Sequence, residues 1–406
     1  MPFALHAKRS TPADFQGNDA MRELKYFIIT YGCQQNHADS ERITGSLESQ
    51  GFTKSSSLEK SDYLVINTCM VRQHAEDKIY GLMKKIASLK EKNPRLKVVV
   101  TGCLIGMMKR DPSGKFERLI KRRLPLVNEF LPTERFGFDI APKRGSKTEA
   151  SVIISNGCNN YCAYCVVPFT RGREISRPWK EIIKECQDLK EREYKKITLL
   201  GQNVNSYGAD FVKDDLISGK YKLPNGKKIL PVMVKMSMGR KRISTIFPYL
   251  LKEVANLGFE KVLFLSANPW DFSDELIRVI ARNPNVDRYI HLPVQSGDNG
   301  VLKKMNRFYS RNDYLSLVGK IRKKVKGVEI GTDIIVGFPG ETEKQFENTV
   351  SLAKEAGFSV AFIGMYSQRA NTFSAKNYPD DISSTEKHRR FHILDELINK
   401  QKVGVV

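Results

Sequence analysis

The chain has no apolar run near the roughly 18 to 20 residues that a membrane span requires. Its opening stretch, Met1 to Ala20, lacks both an apolar core and a small-residue cleavage site, so it is expected to be a disordered lead-in rather than a signal peptide. Glycine and proline are sparse, 28 and 17 of 406 residues, and 41% of the chain is hydrophobic. That excludes a low-complexity chain and leaves room for two or three domains with sizeable cores. Histidine is scarcer, at six residues, which limits any zinc site built on imidazole. Acidic residues are in deficit, 45 against 67 Lys and Arg, and the net charge of +22 makes a polyanion the leading partner class. The seven cysteines show no pairing pattern, which points to a reducing cytoplasm.

Where the cysteines fall is more informative than how many there are. Cys158, Cys162 and Cys165 stand at C-x-x-x-C-x-x-C spacing directly after the apolar run Ser151 to Ser155. Buried structural cysteines act as small hydrophobes and have no reason to cluster in this way. Thiolates can converge on a metal centre: structural zinc wants four closed ligands, and iron-sulfur clusters usually take four thiolates. Three leave one position open.

A first domain, residues 22–145, repeats strand and helix. The apolar strands Lys25 to Thr30, Ser61 to Asn67 and Lys97 to Val100 run into Cys33, Cys69 and Cys103, with helical spacing over Asp39 to Gln50 and Glu76 to Lys92. Such alternation implies a parallel sheet whose ligands gather at the carboxyl ends of its strands, so the three thiols form a second candidate site on one edge. Cys186 shares a face of the helix Trp179 to Glu193 with Ile182, Ile183 and Leu189 and is expected in the core.

Asp139 to Ala150 reads as a linker, and a second domain spans residues 146–406. Six strand-like runs lie at crossover spacing: Ser151 to Ser155, Lys196 to Gly201, Lys261 to Ala267, Tyr289 to Val294, Glu329 to Val336 and Val360 to Tyr366. They predict a partial (β/α)6 barrel with its important residues at the carboxyl ends of the strands. Gln202, Asn203, Asn205, His291, Gln295 and Ser296 bring amides, an imidazole and a hydroxyl to that rim, and Gly337 opens the turn Gly337-Phe338-Pro339-Gly340. These groups suit an adenosine, a ribose and an amino acid. Ala209 to Pro248 reads as a basic insertion of nine Lys and Arg against three Asp, with a hairpin turn at Pro224-Asn225-Gly226.

The segment C-x-x-x-C-x-aromatic-C, with Tyr164 as the aromatic, resembles the signature of the radical S-adenosylmethionine (SAM) enzymes. The order of motifs from Lys25 to Gln401 resembles the radical SAM methylthiotransferases. That resemblance implies an α/β protein with an N-terminal open parallel α/β domain and a partial (β/α)6 core. It implies Cys33, Cys69 and Cys103 as ligands of an auxiliary [4Fe-4S] cluster, and Cys158, Cys162 and Cys165 as ligands of the radical cluster. SAM would lie against Tyr164, Gln202, Asn203, Asn205, His291, Gln295, Ser296 and Gly337. The runs Cys165 to Pro178 and Gly201 to Tyr207 look like the branch that acts on tRNA bearing N6-isopentenyladenosine beside the anticodon. In that branch one SAM supplies a methyl group and a second supplies a 5′-deoxyadenosyl radical that takes the hydrogen from C2 of the adenine. The implied partners are the tRNA anticodon stem-loop and an electron donor such as flavodoxin or ferredoxin, with no membrane and a monomeric chain. Arg171, Arg173 and Arg177 are candidates for phosphate or cofactor carboxylate.

Two features depart from the family pattern. Its usual C-terminal RNA-binding β-barrel is absent before Val406, and Asn268 stands before Pro269 where a histidine is frequent. The alternatives are a sister branch acting on threonylcarbamoyl-adenosine or a ribosomal protein, and a non-enzymatic zinc RNA-binding protein, for which His37 is the one nearby fourth ligand.

Overall fold

The computed structural model describes residues 23–70, 73–212 and 245–400, and between the last two spans residues 221–223, 226, 228–229, 234–235 and 241–242. The lead-in Met1 to Ala20, and Lys213, Lys220, Lys227 and Arg240 of the basic insertion, lie outside the described residues.

The first half is a parallel sheet in the order β2-β1-β3-β4-β5, made of β1 (Lys25–Tyr31), β2 (Thr53–Lys54), β3 (Tyr63–Thr68), β4 (Lys97–Gly102) and β5 (Glu129–Phe130). Its helices are α1 (Gln34–Ser49), α2 (Gln73–Lys92), α3 (Cys103–Arg110) and α4 (Lys115–Arg123). After their first residues, β3 and β4 are buried throughout, as central parallel strands covered on both faces must be. Leu64, Ile66, Val98 and Val100 face a core shared with Ile79 and Ile86 of α2. Val65 and Val99 alternate to the other face, against Ile43 and Leu47 of α1. The edge strands β2 and β5 were not expected, since two residues carry no periodicity.

The second half contains β6 (Glu149–Ile153), β7 (Ser155–Asn156), α5 (Val167–Thr170), β8 (Ile175–Ser176), α6 (Trp179–Glu191), β9 (Lys196–Leu200) and α7 (Ala209–Val212). The insertion holds two antiparallel pairs, β10 (Tyr221–Lys222) with β11 (Lys228–Ile229) and β12 (Val234–Lys235) with β13 (Lys241–Arg242). The chain continues through α8 (Phe247–Ala255), β14 (Lys261–Phe264), α9 (Asp274–Arg282), β15 (Tyr289–His291), α10 (Asn299–Lys304), α11 (Arg311–Lys324), β16 (Glu329–Val336), α12 (Glu343–Ala356), β17 (Val360–Met365), α13 (Phe373–Asn377) and α14 (Ser384–Asp395).

Six of these strands are parallel, in the orders β6-β9-β14 and β15-β16-β17. At the seam the Val262 N–H donates to Asn285 O (2.8 Å) and Val262 O accepts from Asp287 N–H (2.9 Å), so the residues entering β15 continue the wall. Among the described residues no ladder joins β17 to β6, and the expected partial barrel is open. The expected linker is pinned rather than free. Arg144, whose side chain is buried, donates to Glu41 of α1 (2.7 Å), to Ser151 O (2.7 Å) and to Glu185 of α6. An uncompensated guanidinium would be costly at that depth, and the two carboxylates draw the segment inward.

Candidate functional site

The parallel register makes the first thiol set. Tyr31 pairs with Thr68 and Thr68 with Gly102, so three strands end level, and the cysteines follow those ends. Gly102 has φ 98°, and a side chain there would collide with the Thr68 carbonyl, so the crossing requires glycine. Cys33 caps α1, with its thiol 3.3 Å from Asn36 Oδ1. Asn36 is tied to Asn67 (3.1 Å), and Asn67 returns to Asn36 O (2.8 Å). Cys69 N–H donates to Tyr31 O (2.9 Å), and Cys103 opens α3. The Cys103 thiol is brought down to about 5 by a hydrogen bond with Cys69, against burial, and by the charge of Arg171.

The second set lies on the loop between β7 and α5. Gly157 (φ 81°) packs where a side chain would strike the Arg173 carbonyl, and its N–H donates to Gln202 Oε1. The segment Met305 to Arg307 braces the loop. Met305 O accepts from Ala163 N–H (2.9 Å), Asn306 Nδ2 donates to Tyr161 O (2.8 Å), and Arg307 Nη1 lies 3.3 Å from Cys162 Sγ. Tyr161 itself takes φ 49°, strain of the kind that accumulates at functional loops. Burial, then Glu174 and the other two thiols, push the Cys158 thiol up, and burial with Cys162 pushes Cys165 up to about 12. Tyr164 packs with Met305, Phe338 and Tyr366.

The two sets meet. Helix α3, which begins at Cys103, packs on α5, which follows Cys165, and Gly106 lies so close to the Thr170 carbonyl that no side chain fits. Arg110 also donates to Thr170 O (2.7 Å). Arg171 leaves α5 and reaches Asp39 of α1 (2.6 Å) and Asn156 (3.1 Å). Burial works against its charge, but Asp39, Cys103 and Cys33 outweigh that and hold it firmly protonated. Cys103 is also near enough to raise Cys165.

At the rim, Ser155 Oγ, Gln202 Nε2, Asn203 Oδ1 and Asn268 Oδ1 are buried without a hydrogen-bond partner among the described residues. They stand just past β6, β9 and β14, where a polar ligand or ordered water would satisfy them. The first set has its own, both amide atoms of Gln35 and Thr101 Oγ1.

The other expected cofactor residues have partners or positions of their own within the protein. Asn205 uses both ends of its amide on the Asn268 backbone (2.9 and 2.7 Å), so it shapes the turn after β14. His291 pairs in register with Gly331, well before β16 ends at Val336, and lies 3.0 Å from Asp333. It ends β15 at a level below the end of β16. Ser296 engages Thr349 (3.3 Å) and Asp298 N–H (3.2 Å), Gln295 is buried at φ 72°, and Gly337 (φ 66°) donates its N–H to Glu341 (2.7 Å). Arg171 and Arg177 are buried on Asp39 and Glu185, so of the three candidate phosphate contacts Arg173 alone is exposed. Sequence reasoning missed Arg307, Gln35 and Ser155. Arg307 carries no local signal, because its approach to Cys162 is made only by the tertiary fold.

Cys186 lies in the main core and burial pushes its thiol up, as expected. Among the described residues no three His, Cys, Asp or Glu side chains group closely enough to hold a single metal ion, as a zinc site needs, and His37 is exposed.

The class comes from comparison: the Radical SAM superfamily matches residues 152–353, the part that carries the second thiol set, while the Uncharacterized protein family UPF0004 matches residues 25–119. The chain is 40% identical over 404 residues to a tRNA-2-methylthio-N(6)-dimethylallyladenosine synthase of Clostridium botulinum, covering 93% of this chain and 82% of that one. A protein of the same description from Thermoanaerobacter pseudethanolicus is 39% identical over 400 residues, covering 93% and 79%. The chain therefore belongs to this family of radical SAM methylthiotransferases, enzymes of SAM and [4Fe-4S] clusters. A radical SAM methyltransferase from Kitasatospora setae, solved with cobalamin and a [4Fe-4S] cluster, superposes with a TM-score of 0.51 at 13% identity, over 85% of this chain and 75% of that one. At that identity the likeness speaks for the fold alone. The residues present fit the groups: each triad offers three thiols, and the orphaned polar atoms beside them are open to a polar ligand.

Proposed function

We propose that this chain is a tRNA methylthiotransferase that adds a methylthio group at C2 of N6-isopentenyladenosine next to the anticodon. The observation that supports the reading is the packing of α3, which opens at Cys103, on α5, which follows Cys165, with Cys103 near enough to raise the Cys165 thiol. The names of the relatives support the substrate class.

In this reading Cys158, Cys162 and Cys165 hold one cluster and Cys33, Cys69 and Cys103 the other, with the division between domains at residues 145 and 146. When bound, the groups supply the electron that cleaves SAM and the sulfur that is transferred. Gln202, Asn203 and Asn268 offer SAM the amide atoms that lack partners among the described residues, and Asn205 fixes the turn that presents Asn268. Arg171 helps bring the Cys103 thiol down, which favours thiolate there. Tyr164 backs the cysteine loop against Met305 and Phe338 and excludes water from that side.

The implied partners are the tRNA anticodon stem-loop and a flavodoxin- or ferredoxin-class electron donor. The free cysteines support a reducing, cytoplasmic setting, and no described helix is long and apolar enough to cross a membrane. Mass spectrometry of tRNA nucleosides from cells with and without the gene tests the function. The 2-methylthio derivative of N6-isopentenyladenosine should vanish and return on complementation. Its persistence in the deletion strain, or loss of the threonylcarbamoyl-adenosine derivative instead, overturns the reading.

A further inference from the structure

We propose that Arg307 is the electrostatic partner of the second triad: its buried guanidinium raises the reduction potential of the cluster at Cys158, Cys162 and Cys165, and so governs how readily that site accepts an electron. This rests on the preceding reading that those three thiols hold a cluster.

Arg307 is 4% exposed. Its Nη1 donates to Cys162 Sγ (3.3 Å), Nη2 to Pro293 O (2.9 Å) and Nε to the Tyr309 hydroxyl (3.0 Å). The guanidinium lies over Trp270 (4.6 Å) and Tyr309 (5.2 Å), and Tyr309 is fixed in turn by Val294 O (2.7 Å). The group is preorganised on every side.

Its counter-charge differs from that of the buried arginines held in ion pairs, and Arg42, buried without such a pair among the described residues, still lies in the field of Glu185 and Asp39. The buried side chains of Arg144, Arg171, Arg177 and Arg390 each pair with a carboxylate, on Glu41, Asp39, Glu185 and Glu341. Arg307 pairs with none among the described residues, and its polar partners are a thiol, a carbonyl and a hydroxyl. A guanidinium buried without an anion is costly, so the fold retains it where an anion is to stand. The group it faces is Cys162, a thiolate when ligating.

Hydrogen bonds to ligand sulfur and nearby charge are among the levers that set iron-sulfur potentials. Reduction adds one electron, from an external one-electron donor, and moves no proton. A fixed positive charge in a weakly screened interior stabilises the more negative reduced form more than the oxidised form. The same segment clamps the loop backbone through Met305 and Asn306, so the charge and the thiol keep a fixed separation.

The test is a redox titration of the full-length protein carrying both clusters, with dithionite as reductant and electron paramagnetic resonance as readout. Cys158→Ala identifies the transition that belongs to the second triad. Arg307→Gln removes the charge while keeping a polar side chain, and should move that transition to more negative potential by at least tenfold in the reduced-to-oxidised ratio, about 59 mV for one electron. The other transition should stay in place, an internal control for folding, and Arg307→Lys should move the shifted one back toward the parent. An unmoved transition at full iron content, equal movement of both, or a lysine variant as low as the glutamine variant overturns the proposal. Iron lost in both variants also overturns it, as a purely structural role. A parent protein in which Cys158→Ala removes no transition refutes the cluster assignment itself.

Discussion

Single side chains divide the site into groups that would hold a cluster, groups that wait for a ligand and groups that only shape the turn. Cys158 and Cys69 belong to different triads, so their loss should separate two activities. Cys158→Ala should abolish reductive SAM cleavage, measured as 5′-deoxyadenosine released, whereas Cys69→Ala should keep that cleavage and lose methylthiolation. Loss of 5′-deoxyadenosine in Cys69→Ala, with the iron of the second triad intact, sinks this division. Cys186→Ala should keep the full iron content, since its thiol is wholly in the core. Asn268 is the cleanest reporter for SAM, because its buried Oδ1 accepts no hydrogen bond from the described residues. Asn268→Ala should weaken SAM binding about tenfold, the equivalent of one net hydrogen bond of about 1.4 kcal/mol. Isothermal titration checks the affinity, and thermal unfolding should show little change. An unaltered affinity would place Asn268 outside the SAM contacts.

At the scale of elements, what was legible followed from periodicity and punctuation. β1, β3 and β4 were readable because central parallel strands are continuous apolar runs, and their cysteines because each follows such a run. β2 and β5 were not, since each pairs only two residues and owes its existence to the neighbouring strand. His291 does end β15, but its level against β16, opposite Gly331, is set by the ladder and cannot be read from apolar composition. Arg144 and Arg307 escaped notice because the partners of a buried arginine are distant in sequence. Gly106 escaped for a related reason: a glycine inside α3 looks merely unfavourable until α5 is placed against it. Gly106→Ala should wedge α3 from α5 and displace the triads from each other. A misplacement of about 1 Å can cost on the order of a hundredfold in rate. Methylthiolation should therefore fall by roughly that factor, while tRNA-independent SAM cleavage, which needs only the second triad, should stay near the parent rate. Equal loss of both would mean that the helix contact serves general stability rather than alignment of the two sites.

Across the whole molecule, the basic excess divides into two populations with different work. The side chains of Arg144, Arg171 and Arg177 are buried in ion pairs that tie structure together, which leaves exposed groups such as Arg173 and Lys228 to meet a polyanion. The pair Arg171–Asp39 is the most consequential, because it crosses from the cysteine-loop half to α1 at 2.6 Å beside the first triad. Breaking one partner of a buried pair commonly costs about 3–5 kcal/mol, since the remaining charge is stranded, whereas replacing both with apolar residues of similar volume can be nearly neutral. Asp39→Leu alone should therefore destabilise the iron-free protein by about that amount, and Asp39→Leu with Arg171→Met should recover most of it. Denaturant unfolding of the two single variants and the double variant closes the cycle. Arg171 also helps bring the Cys103 thiol down, so recovery of stability should not bring recovery of function. The double variant should fold like the parent yet fail to retain iron at Cys33, Cys69 and Cys103 while retaining it at the second triad. A double variant that holds the full iron content would reduce Arg171 to a fastener between the halves, and one that stays as unstable as Asp39→Leu would show that the pair is not what joins them.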